Sequence, residues 1–468
     1  METLNSYGIS IHDLILKQNE YFETLETRDI SFRIEQLKKL KKGILNREDE
    51  ILTALKKDLG KNPQEAYMME IRSVIEGINF SLKHIRRLAR KKYVPTPLLQ
   101  FGKSKILYEP YGTALIIAPF NYPFSLAIEP LTSCLSAGNT AIVKPSELAP
   151  SVAKVISTLL SEVFEYKYVA SIEGDACITE ELLQEKFDYI FFTGSQRIGK
   201  SVMTAAAKNL TPITLELGGK SPVIIDSSAD IHTAAKRIIW GKTVNNGQTC
   251  IAPDYVLVPS EKKEELIREM EKIISQFYGT NPEKSQSYGK IVNLRHWKRI
   301  EALIKEDGRF IVHGGNSNEK SLYIEPTIFD IPMDKIADAS TMQEEIFAPL
   351  LPVISYEKSE DAVSVVKGFE KPLALYIFSK RKKVIKCLTA VIQSGGVAIN
   401  DTLKHVSIPD LPFGGIGNSG MGAYHGEYGF LTFSHERAVY QNKVSRDLPV
   451  LFPPYNRKNL NIIKKISR

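Results

Sequence analysis

TAIVKPSELAPSVAKVISTLLSEVFEYKYVASI, residues 140–172, reads as one strand–helix–strand unit. TAIVKP (140–145) and KYVASI (167–172) are short β-rich runs, and SVAKVISTLLSEVF (151–164) between them is helical. The pattern extends both ways: TALIIA (113–118) precedes the unit and YIFFTG (189–194) follows it. Strands that alternate with helices predict parallel βαβ units and a sheet covered on both faces. The alternation resumes with SPVIID (221–226), YVLVPS (255–260) followed by a helix over 261–277, LALYIFS (373–379) and GGVAIN (395–400), so a second α/β domain is expected. Upstream, residues 12–92 read as helices, as in RIEQLKKLKKGILNREDEILTALKKDL (33–59). There is no internal repeat and no low-complexity linker.

Composition narrows the class. At 468 residues the chain exceeds one ordinary core, so two or three domains are expected. Apolar content of 43% and charged content of 25% are those of a soluble globular protein. The net charge of +7 comes from 61 basic and 54 acidic residues, scattered except in the last dozen residues, which argues against a nucleic-acid partner. Cys134, Cys177, Cys250 and Cys387 form no CxxC, so neither a metal site nor a disulfide framework is expected. The opening METLNSYGISIHDLILKQNE has acidic residues and no long apolar core, unlike a signal peptide. No apolar run reaches the ~18 residues of a transmembrane anchor. A cytoplasmic, enzyme-sized protein is the expectation.

Six segments carry candidate chemistry. In GQTCIAPDY (247–255), Cys250 follows turn-forming residues and precedes a strand, so it belongs to a loop. Three readings are open for it: a buried structural thiol, a metal ligand or a nucleophile. FFTGSQRIGKSVMTAAA (191–207) runs strand, glycine turn, helix, with Gly194 and Gly199 in a GxxxxG spacing. The helix start suits a pyrophosphate, and it equally suits simple capping. LELGGKSP (215–222) ends a strand on Glu216, either an ion-pair partner or a general base of raised pKa. APFNYPF (118–124) puts Asn121 in a proline-flanked turn, as an Asx turn or as an amide aimed at an oxyanion. MQEEIFAPLLPV (342–353) and LPFGGIGNSGMG (411–422) are punctuated loops beside strands, the second glycine-rich enough to require close backbone packing or a ligand.

APFNYP, IVKPSE, FTGS, LELGGKSP, GQTC, EEIFAP and PFGGIGNSGMG occur here in the order and spacing of the NAD(P)-dependent aldehyde dehydrogenases, which the chain resembles from about residue 20 to 450. QTCIAPDYVLV and NSGMGAYHGEYGFLTFSHERA look most like the class 3 branch, which acts on fatty and aromatic aldehydes. The resemblance implies an α/β fold with two parallel-sheet domains and a small β extension for oligomerisation. The cofactor-binding domain would take 1–90 and 110–217, the catalytic domain 218–430, the extension 91–109 and 431–447, and a tail 448–468. It implies Cys250 as nucleophile, Asn121 with the Cys250 backbone N–H as oxyanion donors, and Glu216 as the base that activates water against a thioester. Lys144 and Glu147 would meet the adenosine ribose. Gly194, Ser195 and Gly199 would lie at the pyrophosphate, and Glu345 and Phe347 at the nicotinamide side. Tyr122 and Phe413 would wall the substrate tunnel. NAD is the expected cofactor with NADP accepted, the substrate a small-molecule aldehyde, and the assembly a homodimer in which FLTFSHERAVYQN (430–442) supplies an edge strand.

The sequence departs from the family at two places: Phe120 stands where Trp is common, and Ala348 where Gly is frequent. Other functions were weighed on the same residues. A cysteine-dependent esterase needs a His base that neither GQTC nor LELGGK supplies. A CoA-acylating dehydrogenase shares fold and thiol, but retention of Glu216 argues against it. A catalytically silent structural protein would have lost Cys250 or Glu216. The basic tail LFPPYNRKNLNIIKKISR (451–468) reads either as a terminal helix packed on the protein or as a short helix on anionic lipid.

Overall fold

The computed structural model of the chain describes residues 7–97, 100–444 and 447–466. Strands Thr113–Ile117, Thr140–Lys144 and Tyr189–Thr193 are buried at every position. Such continuous apolar runs are what a parallel sheet covered on both faces requires. With Val169–Ser171 and Ile213–Glu216 they form the parallel part of a six-stranded sheet, ordered 420–421, 213–216, 189–193, 113–117, 140–144, 169–171. From its central strand, 113–117, the chain first builds outward through 140–144 and 169–171. It then crosses back and lays 189–193 and 213–216 on the other side. That reversal opens a crevice beyond the carboxyl ends of 113–117 and 189–193, the place where ligands bind in open α/β sheets.

Helices Ile30–Asn46, Glu48–Leu59, Arg72–Leu88, Ser125–Ala137 and Pro150–Val163 share one core with a face of this sheet, including Leu37, Leu55, Ile78, Leu131, Ile156 and Phe191. Local rules set the helix ends. Asp29 caps Ile30–Asn46 by accepting from the Ser31 N–H at 2.8 Å. Glu48–Leu59 opens on three acidic residues, carries Lys56 and Lys57 in its last turn, and stops at Gly60, whose φ is +69°.

Residues 217–221 cross from the first sheet to a second, seven-stranded one. Its order is 311–313, 327–330, 350–356, 255–259, 222–225, 374–378, 396–399, parallel except at Ile311–His313. The fold is thus α/β with two mostly parallel sheets, as expected; a two-stranded pairing of Ser317–Asn318 with Tyr323–Ile324 and a small third sheet of three strands complete it. There Gly102–Pro110 pairs antiparallel with Lys92–Val94 on one side and with Ser434–Asn442 on the other, in register from Ser434 opposite Pro110 to Asn442 opposite Gly102. One reading needs correction. FLTFSHERAVYQN is not strand throughout: residues 430–432 close helix Gly426–Thr432, and the strand begins at Ser434. Phe430 and Phe433 are apolar because they are buried in the first core, and burial outweighs the β-preference of their type. The glycine-rich loop also returns the chain to the first sheet, where Gly420 and Met421 pair antiparallel with Glu216 and Leu215.

Phe191 joins these parts. Its ring lies edge-on to Tyr424 at 5.0 Å and stacks on Phe433 at 5.8 Å. Phe191→Ala should lower stability by about 3–5 kcal/mol. Urea unfolding followed by tryptophan fluorescence measures it, and an unchanged midpoint would show that the ring is not packed as described.

Candidate active site

The loop before Cys250 is held in an uncommon backbone. Asn245, Asn246 and Gly247 have φ of +50°, +53° and +69°. Asparagine and glycine are the residues that tolerate this left-handed region. At Gly247 there is no alternative, since a Cβ would stand 2.4 Å from the Ala348 carbonyl oxygen. Gln248 then ties the turn down. Its side-chain amide donates to the carbonyls of Asn245 (3.0 Å) and Lys290 (3.1 Å), and its Oε1 accepts from the Val292 N–H at 3.0 Å. Cys250 follows in a turn and is only partly buried. The Tyr376 hydroxyl donates to the Ile251 carbonyl and accepts from the Leu403 N–H, locking the far side of the Cys250 loop.

A second loop, 118–125, faces it. The Asn121 side chain is buried and donates to the Gln248 carbonyl at 3.0 Å. The Asn121 carbonyl accepts from Lys61 Nζ (2.9 Å) and Asn245 Nδ2 (2.8 Å). Lys61 also binds Glu70, and both are fully buried. The other Glu70 oxygen accepts from the N–H groups of Phe124 and Ser125. The Tyr122 hydroxyl lies 2.7 Å from the Thr249 hydroxyl, and Lys61 Nζ sits 4.1 Å from the centre of the Tyr122 ring.

Glu216 ends strand Ile213–Glu216 and is 2% exposed. Both carboxyl oxygens are buried without a hydrogen-bond partner among the described residues, so the ion-pair reading is not realised. Burial holds its pKa well above the ordinary carboxylate range. Burial also pushes the Cys250 thiol up, Glu345 and Glu216 add to that when ionised, and the N–H groups of Cys250 and Ile251 oppose it. Burial raises the pKa of Tyr122, Tyr376 and Tyr424, and an ionised Cys250 would raise each of them further.

Glu345 is brought to the same place. Its Oε2 would be 2.1 Å from a Cβ on Gly218, so only glycine allows the approach, and its Oε1 has no partner. Burial, reinforced by the charge of Asp254, raises its pKa to about 8, against the pull of the Gly219 N–H, Lys220 and Lys242. The segment is pinned by Lys220, which binds Asp254 and donates to the carbonyls of Thr341 and Glu344, each at 2.9 Å. Asp254 Oδ1 accepts from the Ile346 N–H at 3.0 Å. Phe347 follows with φ of +51° and meets Phe120 edge-on at 5.8 Å. Phe120, standing where Trp is common, also packs on His296 at 5.2 Å.

The crevice edge carries the remaining candidates. Lys144, buried at the end of its strand, pairs with exposed Glu147 at 2.8 Å. The Gly194 N–H donates to the Glu216 carbonyl, and Ser195 caps helix Gln196–Lys208. Gly199 is one turn into that helix and buried, where a Cβ would meet Leu217 at 2.7 Å. It sets helix-to-strand packing and is not brought to the helix end with Gly194 and Ser195. Phe413 exchanges two backbone hydrogen bonds with Tyr424 and stacks on His425 at 5.4 Å. Lys61, Glu70, Lys220, Asp254 and Tyr376 escaped the sequence reading. Glu70 and Tyr376 lie in an unremarkable helical segment and strand, and Lys61, Lys220 and Asp254 in loops; only Lys220 and Asp254 sit in quoted motifs, where an adjacent charge beside GG or AP was the available signal.

The chain is similar to known proteins over most of its length. The model of the aldehyde dehydrogenase family matches residues 10–439. The chain is 49% identical over 439 residues to the 4,4'-diaponeurosporen-aldehyde dehydrogenase of Staphylococcus aureus, covering 94% of this chain and 95% of that one. It is 43% identical to the dimeric NADP-preferring aldehyde dehydrogenase of Rattus norvegicus, covering 92% and 94%. Its fold superimposes on the substrate-bound structure of Staphylococcus aureus AldH with a TM-score of 0.95 at 46% identity, covering 98% of this chain and 100% of that one.

Glu345 gives the site a signature in stability. Its pKa rises from an ordinary 4.5 to about 8 on folding. Between those values the unfolded chain releases a proton that the folded protein keeps. The stabilisation is therefore complete below pH 4.5 and is lost as pH rises through about 8. Urea midpoints of the wild type should fall over this window, and Glu345→Gln should flatten the slope by up to about 1.4 kcal/mol per pH unit. Equal slopes for the two proteins would mean that Glu345 is ionised in the native state.

Proposed function

The chain belongs to the aldehyde dehydrogenase family, an NAD(P)-dependent family of enzymes that oxidise aldehydes to acids, and on that premise we propose that it does so through a thiohemiacetal and a thioester on Cys250. The observation that carries this reading is the buried carboxyl of Glu216, without a hydrogen-bond partner among the described residues, near enough to Cys250 to raise the thiol pKa when ionised. Medium- or long-chain aliphatic and aromatic aldehydes are the proposed substrates. The relative named for 4,4'-diaponeurosporen-aldehyde and the resemblance to the class 3 branch support this range. Phe413 and the Tyr122 ring are proposed as tunnel walls.

The residues present fit a nicotinamide dinucleotide. Gly194 and Ser195 offer a capped helix start at the reversal point of the sheet, Lys144 and Glu147 flank its edge, and Glu345 and Phe347 reach the Cys250 side. When bound, the nicotinamide supplies the hydride acceptor.

The chain's own residues do the rest. Cys250 Sγ gives its proton to solvent water and bonds to the aldehyde carbon, the C=O π bond breaks, and its electron pair leaves the oxygen with the negative charge. The Asn121 amide has two N–H bonds, of which one goes to the Gln248 carbonyl, so the second is free to meet that oxygen beside the Cys250 N–H. After oxidation the acyl group remains as a thioester. Glu216 then takes a proton from water, the water oxygen bonds to the acyl carbon, the C–S bond breaks, and the acid leaves with the thiolate restored. A carboxyl that burial makes strongly basic suits this task. The edge strand Ser434–Asn442, paired on one side only with Gly102–Pro110, supports a homodimer, as does the dimeric relative.

Two experiments test the reading. Cys250→Ser should abolish aldehyde oxidation while nicotinamide binding survives, because a serine hydroxyl is far less ionised than a thiol. Glu216→Gln should lower turnover about 100- to 10,000-fold yet leave a burst of near one equivalent of reduced nicotinamide and an acyl adduct on Cys250 visible by mass spectrometry. Absence of both burst and adduct in a folded, nicotinamide-binding variant would move Glu216 to an earlier step.

The Lys144–Glu147 pair bears on nicotinamide choice. Glu147 can accept from a ribose 2′-hydroxyl and repels a 2′-phosphate, while Lys144 attracts one, so NAD is preferred and NADP accepted. Glu147→Gln should raise the NADP/NAD ratio of kcat/KM. An unchanged ratio would place Glu147 away from the 2′ position.

A further inference from the structure

The tail after the third sheet follows different rules from the rest of the chain. Residues 448–468 contain five basic and no acidic residues, within a protein whose charges are otherwise intermixed. Arg457–Ile466 is a helix. At 100° per residue, Leu460, Ile462 and Ile463 fall on one face, and Arg457, Lys458, Lys464 and Lys465 gather on the opposite one. A helix that used its apolar face to pack on the protein would bury it. Here Leu460 is 49% exposed, and Ile462 and Ile463 are incompletely covered. The residues leading into the helix extend the apolar surface, with Leu451 at 54%, Phe452 at 51% and Tyr455 at 77% exposure. Large exposed apolar side chains grouped in this way mark a contact surface.

The composition selects the partner. A polyanion such as nucleic acid would engage the basic face alone and leave the apolar face in water. A second protein surface would need acidic residues opposite four cations. A leaflet of anionic lipid satisfies both faces together: the apolar side chains enter the acyl boundary and the cations meet the headgroups. The helix is ten residues long, about 15 Å, half of what spanning requires, so it would lie in the plane of the interface. Among the described residues, no helix is long and apolar enough to cross a membrane. We propose that residues 449–466 are a peripheral docking surface for anionic membranes.

The test is co-sedimentation of the full-length protein with vesicles of phosphatidylcholine alone or with about 30% phosphatidylglycerol, at low and high salt. The expected result is binding only to the anionic vesicles, weakened about tenfold or more by ~0.5 M salt. It should be lost in the fourfold variant R457E/K458E/K464E/K465E and reduced in L460D. Both variants should keep the wild-type mass by light scattering and wild-type oxidation of a short, soluble aldehyde. Four outcomes overturn the proposal: no binding to either vesicle, equal binding to both, retention of binding by the fourfold variant, or binding to random-sequence duplex DNA unaffected by L460D in place of vesicle binding. A change of mass in the variants, with no vesicle binding by the wild type, would instead seat the tail on a second copy of the chain.

Discussion

The buried ion pair of Lys61 and Glu70 is the constraint on which the site depends. Two full charges are withdrawn from water where one helical segment meets two loops, and such a pair is tolerable only if its remaining hydrogen-bonding capacity is used. It is used: Glu70 receives two backbone N–H groups at the start of Ser125–Ala137, and Lys61 reaches the Asn121 carbonyl. The position of Asn121 is therefore dictated from the helical layer, outside both large sheets. Asn245 donates to the same Asn121 carbonyl and to the Gln248 carbonyl, so the loops of Asn121 and Cys250 are registered to one point.

The other half of the site is built by the same device. Lys220 and Asp254 form a buried pair whose spare valences hold the carbonyls of Thr341 and Glu344 and the N–H of Ile346. The two halves meet where Gly247 touches the Ala348 carbonyl. The left-handed run from Asn245 to Gly247 is a local cost of about 1 kcal/mol or more at each asparagine, and it persists because both networks over-determine it. Replacement of a frequent glycine by Ala348 is accommodated, since its side chain is fully buried without disturbing that contact.

The chain announced its architecture through residues that obey short-range rules. Continuous apolar runs of four or five residues gave the parallel strands, and helical periodicity gave the layers over them. Cys250, Glu216 and Asn121 stand out as candidates because each is a chemically costly or reactive group placed in a turn or at a strand end. Lys61 and Glu70 were not, since a lysine and a glutamate in a charged helical region look like solvent-facing residues until the tertiary fold buries them. The start of the strand after Phe433 was missed for a related reason: the aromatic residues of 430–433 serve a helix and a core, and no local pattern separates that use from a strand. Gly199 shows the converse: its motif spacing suggests a ligand, and no local pattern announces that a Cβ there would also meet Leu217.

The crowding of acids around Cys250 has a consequence for the protein at rest. In the free protein burial raises the pKa of the Cys250 thiol, and Glu345 and Glu216 raise it further only when they are ionised. Opening that pocket to water would relieve the burial and bring the thiol pKa down toward its ordinary value.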